Sequence, residues 1–173
     1  MLTPNRMCSL LLVLVLAGSS IGAARTRSDE IRHQILMSPY YGVFDWIEVE
    51  QPTRVSVVLR GKVREPYAKS DIEHRIRRIE GISTVVNEIK VLPLSPSDDR
   101  IRIATYRAIF RYDGPLFRYS LPVNPSIHIV VDNGRVTLKG VVADRGDRQL
   151  AYFAARNVSG VFEVNNDLKI EKN

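Results

Sequence analysis

The side chains best suited to hold a metal or attack a substrate are few: the histidines His33, His74 and His128, and a single cysteine, Cys8. None of the histidines has a second ligand at metal-binding spacing, and Cys8 lies ahead of an apolar run that reads as removable. The sequence therefore predicts no metal site, no cofactor and no thiol nucleophile. Ser38, Ser83, Ser95, Ser97, Ser120, Ser126 and Ser159 fall near turns or element ends, with no nucleophile-elbow motif around them. Asp98-Asp99 has the makings of a carboxylate pair, but after Ser97 it fits the acidic first turn of a helix far better. No glycine-rich loop is present to cradle phosphate. The expectation is a binding or structural protein, with no enzyme chemistry and no small-molecule substrate.

Binding chemistry is easier to find. The chain carries a formal charge of +6, and it stays basic when the first 24 residues are set aside. Arg75, Arg77, Arg78 and Lys69 lie off the apolar face of a helix and read first as a solvated surface. From Ile101 to Arg111, Ile101, Ala104, Thr105, Ala108 and Ile109 share one helical face, suited to covering a sheet. Ile103, Tyr106 and Phe110 cluster on the opposite face, flanked by Arg102 and Arg107. Phe117 and Arg118 follow in an aromatic and basic stretch from Tyr112 to Tyr119, which Pro115, Pro122 and Pro125 keep irregular. Arg102, Ile103, Tyr106, Arg107, Phe110, Phe117 and Arg118 are the candidate lipid-binding set, with rings at headgroup level and guanidinium groups on phosphates. Docking of Ile103, Tyr106 and Phe110 on another part of the chain, and a protein-protein contact, stand as alternatives. Tyr40, Tyr41, Phe44 and Trp46 raise the same question earlier in the sequence.

The elements that must position these residues begin with a leader. Arg6, the apolar run from Leu10 to Ala17 and Gly22-Ala23-Ala24 have the form of a secretory signal over 1–24, cleaved after Ala24 or Ala23. The run is short against the roughly 20 apolar residues of a membrane span. A lipid-anchored leader would place cysteine just after the run, whereas Cys8 precedes it. An exported chain makes nucleic acid a poor partner for its basic surface, and lipid headgroups a better one.

The body is duplicated. At one fixed offset Val57-Val58-Leu59-Arg60-Gly61-Lys62-Val63 aligns with Val136-Thr137-Leu138-Lys139-Gly140-Val141-Val142, Gly81 with Gly160, and Asn87 with Asn166. Each copy spans about 65 to 75 residues, a size at which a core is marginal, so the copies are expected to lean on each other. Ser28 and Ser97 precede short helices. Val43 to Val49 is the expected first strand, with Val55, Val57, Leu59 and Val63 facing inward on the second. In the other copy, Asp132-Asn133-Gly134 turns Ile127 to Val131 into the strand bearing Val136, Leu138 and Val142. A second helix runs from Pro66 to Glu80 and closes at Gly81, its twin starting at Asp144 and ending at Gly160. The last strands carry Val85, Ile89 and Val91, or Val164, Leu168 and Ile170, inward. The fold class is α+β: two tandem helix-strand-strand-helix-strand units, each a small mixed three-stranded sheet with two helices on one face.

The runs Asn133 to Val142 and Val158 to Asn166, with Val57 to Val63 and Ile79 to Asn87 in the first copy, resemble the signature of the BON domain family. The likeness covers both copies, 28–93 and 97–171, departing only at the first hairpin, where Glu50-Gln51-Pro52-Thr53-Arg54 replaces Asn-Gly. The resemblance implies an exported, non-enzymatic bacterial module of the periplasm or envelope, often in tandem. It further implies binding of phospholipid surfaces and a part in envelope integrity or osmotic-stress protection, with no catalytic residues to carry over. Two functions follow as expectations: an envelope protein on anionic phospholipid, or a soluble periplasmic protein-interaction or chaperone-like module meeting another envelope protein. Gly61 and Gly140 are expected to let another backbone or a helix come close to a strand, and Asn87 and Asn166 to satisfy nearby main-chain groups.

Overall fold

The computed structural model describes residues 26–171, so the leader expected over 1–24 lies outside the described residues. Helix α1 (Arg27–Leu36) starts two residues earlier than Ser28 suggested. Thr26 accepts the Asp29 amide, and the Asp29 carboxylate accepts from the Thr26 amide in return. Strands β1 (Trp46–Thr53) and β2 (Ser56–Val63) form an antiparallel hairpin. Helix α2 (Pro66–Arg77) then crosses back, and β3 (Thr84–Val91) pairs parallel with β2 along its whole length. Sheet order is β1-β2-β3, with β2 in the middle.

The second unit repeats this plan with α3 (Pro96–Ile109), β4 (Ile127–Asp132), β5 (Arg135–Val142) and α4 (Arg145–Arg156). Ser95, not Ser97, caps α3 by accepting the Asp98 amide, and Pro96 takes the first turn. A 3-10 helix (Pro115–Ser120) fills the longer connection. The third strand is broken in two: β6 (Glu163–Asn166) and β7 (Lys169–Ile170) both lie parallel to β5. Each unit is thus a mixed sheet with two helices on one face, and the class is α+β in tandem.

The helix-facing sides of the two sheets form two cores. Ile31, Ile35, Ala68, Ile72 and Ile76 close on Ile47, Val57, Leu59, Val63, Val85 and Ile89 in the first. Ile101, Ile109, Ala151 and Ala155 close on Ile127, Ile129, Val131, Val136, Leu138 and Val142 in the second. The glycines at the hairpins explain themselves. A Cβ on Gly61 would sit 2.0 Å from the Trp46 carbonyl oxygen, and one on Gly140 2.0 Å from that of Ser126. Both have positive φ, so only glycine relieves the strain and the clash together.

The first hairpin departs from expectation. Its leading strand runs from Trp46 to Thr53 instead of Val43 to Val49, with Ile47 opposite Gly61 and Thr53 opposite Ser56. The register shifts between Glu50 and Thr53, where Pro52 cannot donate to a ladder. Val55 falls in the resulting turn and is exposed, and Val91, at the end of an edge strand, is exposed too. Helix α2 stops at Arg77, and Ile79 packs on the core from the turn that follows.

Candidate functional site

Helix α3 sets the geometry of the candidate surface. Its sheet-facing residues Ile101, Thr105 and Ile109 are buried as the spacing demanded, but Ala104 is exposed. Arg102 is only 2% exposed, and Phe110, just past the last turn, is 6% exposed in the second core. These two members of the candidate set therefore face protein. The Arg102 guanidinium donates to the Val131 carbonyl at 2.7 Å and to Asp99 at 2.6 Å. Its Nε and the hydroxyl of Thr105 are buried without a hydrogen-bond partner among the described residues. Tyr106 is half-buried, edge-on to Phe110 at 5.0 Å and to Phe44 of the first unit at 6.1 Å. Ile103 remains 42% exposed, and Arg107 is exposed in the last turn.

The 3-10 segment is anchored from below. Leu116 and Tyr119 are buried, and the Tyr119 hydroxyl donates to the Asp147 carboxylate while accepting the Ala143 amide at 2.8 Å. Arg118 pairs with the same buried Asp147 and lies over the Tyr119 ring at 4.9 Å. Phe117 stacks edge-on with Tyr112 at 5.1 Å, and Tyr112 is 87% exposed. Leu121 and Val123 stand exposed in the loop beyond. The structure thus leaves Ile103, Arg107, Phe117 and Arg118 with solvent-facing surface, Tyr106 at the margin, and Arg102 and Phe110 inside.

What encloses this face comes from the first unit. Residues 41–46 straddle the edge of β4: the Ile129 amide donates to the Val43 carbonyl at 2.8 Å, and Val43 and Phe44 pack on the second core. On the other side of β4, His128 is 5% exposed between Tyr41 and Trp46, with ring centroids 5.4 and 5.1 Å away. Lys62 to Asp132 at 2.6 Å and Lys139 to Glu48 at 3.0 Å bind the units across the same joint. Lys139 holds Glu48 below the usual carboxylate range, helped by the Trp46 indole N–H. Burial pushes Asp45 up, although its carboxylate accepts the Arg64 and Gly42 amides.

The basic helix of the first unit is partly self-neutralised. Arg75 pairs with Asp71 at 2.6 Å and Arg77 with Glu73 at 2.7 Å. An open groove of about 800 Å³ beside it is lined by Tyr40, Tyr67, His74 and Arg78 with acidic neighbours, and so has no single charge. Among the described residues no three His, Cys, Asp or Glu side chains gather where a metal ion would be held. Nor is any described helix long and apolar enough to cross a membrane.

Sequence reasoning missed one positioning residue and the destination of one segment. Asp98 is 2% exposed, and its two oxygens accept the Asn133 and Gly134 amides, each at 2.9 Å, so it clamps the β4–β5 turn. Two bare amides in a tight turn signal that an acceptor is needed, but nothing local says which residue supplies it. The Tyr41–Trp46 segment was visible as aromatic density, yet its destination in the other unit was not.

Comparison with known proteins gives one family and a weak structural likeness. The BON domain profile matches residues 26–93 and 118–172. No curated protein matches. Among solved structures, the C-terminal domain of CdsD, a structural protein of the type III secretion system of Chlamydia trachomatis, is similar at 11% identity, covering 83% of this chain and 96% of that one, with a TM-score of 0.33. A second CdsD structure from the same organism is similar at 12% identity, covering 83% and 92%, with a TM-score of 0.29.

Proposed function

The chain belongs to the BON domain family, in two tandem copies, and from that premise we propose that it binds anionic phospholipid surfaces as an exported, non-enzymatic envelope protein. Its place is the periplasm, and its role is support of envelope integrity or tolerance of osmotic stress. The observation that carries the reading is the outer surface of the second unit. Ile103 and Arg107 lie exposed on α3, and Tyr112 and Phe117 form an aromatic pair at the surface beside Arg118. Apolar rings next to guanidinium groups suit the headgroup zone, where the rings bury in the acyl boundary and the cations meet phosphate. Arg102 and Phe110 serve this surface from inside, by fixing α3 to β4 and to the core.

Co-sedimentation of the mature protein with vesicles tests the proposal. Binding to anionic vesicles that falls along a salt series, with little binding to neutral ones, is the expected result. Equal binding to both, or none to either, would overturn it.

A further inference from the structure

We propose that His128 makes the joint between the two units proton-sensitive, closed while the imidazole is neutral and loosened when it is protonated. His128 sits on β4, on the side of the sheet away from the helices, and is covered by Tyr41 and Trp46 of the other unit. Its Nδ1 donates to the Gly42 carbonyl at 3.2 Å, because a carbonyl oxygen only accepts. The neutral ring therefore carries its proton on Nδ1. A second proton would put a full charge into an enclosed position walled by rings, and such a charge is costly without a counter-ion.

The surrounding charges do not supply one. Across the β4–β5 pair His128 faces Lys139, a cation already bridging Glu48 and Asp167. From β1, Glu48 is committed to that lysine and to the Trp46 indole. Ahead of β1, Asp45 spends its oxygens on the Arg64 and Gly42 amides, and the Tyr41 phenol is neutral. Asp132, farther along β4, is held by Lys62 of β2. Burial accordingly lowers the proton affinity of His128, against a smaller opposing pull from backbone hydrogen bonds to Asp45 and Gly42. In the same segment the Val43 carbonyl accepts the amide of Ile129, one residue along β4, so displacing it frees that amide and uncovers Val43 and Phe44.

Trp46 is the chain's only tryptophan and lies against the imidazole, so its emission reports on the joint. The full chain is titrated from about pH 8 to about pH 5, spanning the ordinary histidine range. The proposal expects a change in Trp46 emission with its midpoint below ordinary histidine. Over the same interval, Ile129 amide exchange should accelerate by ~10-fold or more, relative to its intrinsic rate. In His128→Gln, which keeps a donor but does not titrate, both transitions should vanish. Persistence of either transition in a folded His128→Gln protein would sink the idea. If that variant does not fold, the wild-type ring is titrated by NMR. A pKa at or above the ordinary value, as cation-π holding would give, rejects the proposal; a lower one coincident with Ile129 deprotection supports it.

Discussion

The side-chain amide of Asn166 donates to the backbone carbonyl of Arg148 at 2.8 Å, tying the third strand of the second sheet to the helix that covers it. Asn87 does the same to Lys69 at 3.0 Å in the first unit, and both bonds span 18 residues. The duplication has kept one tether in two places. Asn87 adds a bond to Glu73 at 2.8 Å. Asn166→Ala should cost about 1 kcal/mol, and Asn87→Ala about 1 to 2 kcal/mol, because the second also strips a carboxylate of a partner. Urea denaturation of each single variant checks the order.

The glycines opposite Ile47 and Ile127 admit no side chain. Gly61→Ala and Gly140→Ala each push a methyl into a main-chain oxygen at a positive φ. Each should destabilise by about 3 kcal/mol or more. Alanine at Gly146, where the nearest contact is a side-chain oxygen at 3.1 Å, should be far milder. A thermal melt of the three variants side by side would expose an error if Gly146→Ala were the worst.

Tyr106 and Phe110 pack inward, so truncating them should act on stability before it acts on binding. The double change to Ser should cost on the order of 2 to 5 kcal/mol, as for truncated core aromatics. Arg102→Glu should also unfold or weaken the chain, since it puts a carboxylate against the Val131 carbonyl. Calorimetry on the double variant decides: an unshifted melting temperature would mean the face is free.

Ile103→Ser and Arg107→Glu change exposed side chains and leave the cores alone. Melting should be nearly unchanged. Affinity for anionic vesicles should fall, by about 1 kcal/mol for Arg107→Glu, and by less at high salt. Unchanged vesicle affinity in both variants would remove α3 from the lipid-binding surface.

Acid should weaken the molecule through Glu48 and Glu73. Lys139 and the Trp46 N–H lower the first, and Asn87 and Arg77 lower the second. Because the folded values lie below the unfolded one, the stability these groups lend is complete above the ordinary glutamate range. It drains as pH falls through the folded values. Stability measured from neutral pH to acid should therefore decline at this stage, and Glu48→Gln should flatten part of the slope. Glu48 is exposed and Glu73 half-buried, so screening keeps the effect modest.

The readable parts of the fold were those whose partners lie within one copy. Ile72 and Ile76, or Val136 and Leu138, bury their apolar faces against their own unit, and their spacing announces helix or strand without further information. Val43 and Phe44 fall in the span expected to be the hairpin partner of the 55–63 strand, yet their burial is in the other unit. The true strand continues through Glu50, Gln51 and Pro52, which look like loop. Helical spacing put Arg102 beside Ile103 as a flanking cation. It is silent on whether a carbonyl such as that of Val131 waits within reach to draw a guanidinium inside. Periodicity reports which way a residue points, and only the assembled neighbours decide whether that direction is solvent.

The straddling of β4 by residues 41–46 also fixes a sequence of events at synthesis. Gly42 and His128 lie 86 residues apart in the chain. At about 5 to 20 residues per second, the ribosome delivers β4 several seconds after the segment that straddles it. During that interval Phe44 and Trp46 have no β4 to grip, and the half-made molecule offers an aromatic tag of the sort that holding chaperones recognise and that nascent chains share when they clump. Slower elongation between the two units would lengthen that exposure without altering any contact in the finished protein. Synonymous codon changes there would then lower yield while the purified product melted as before.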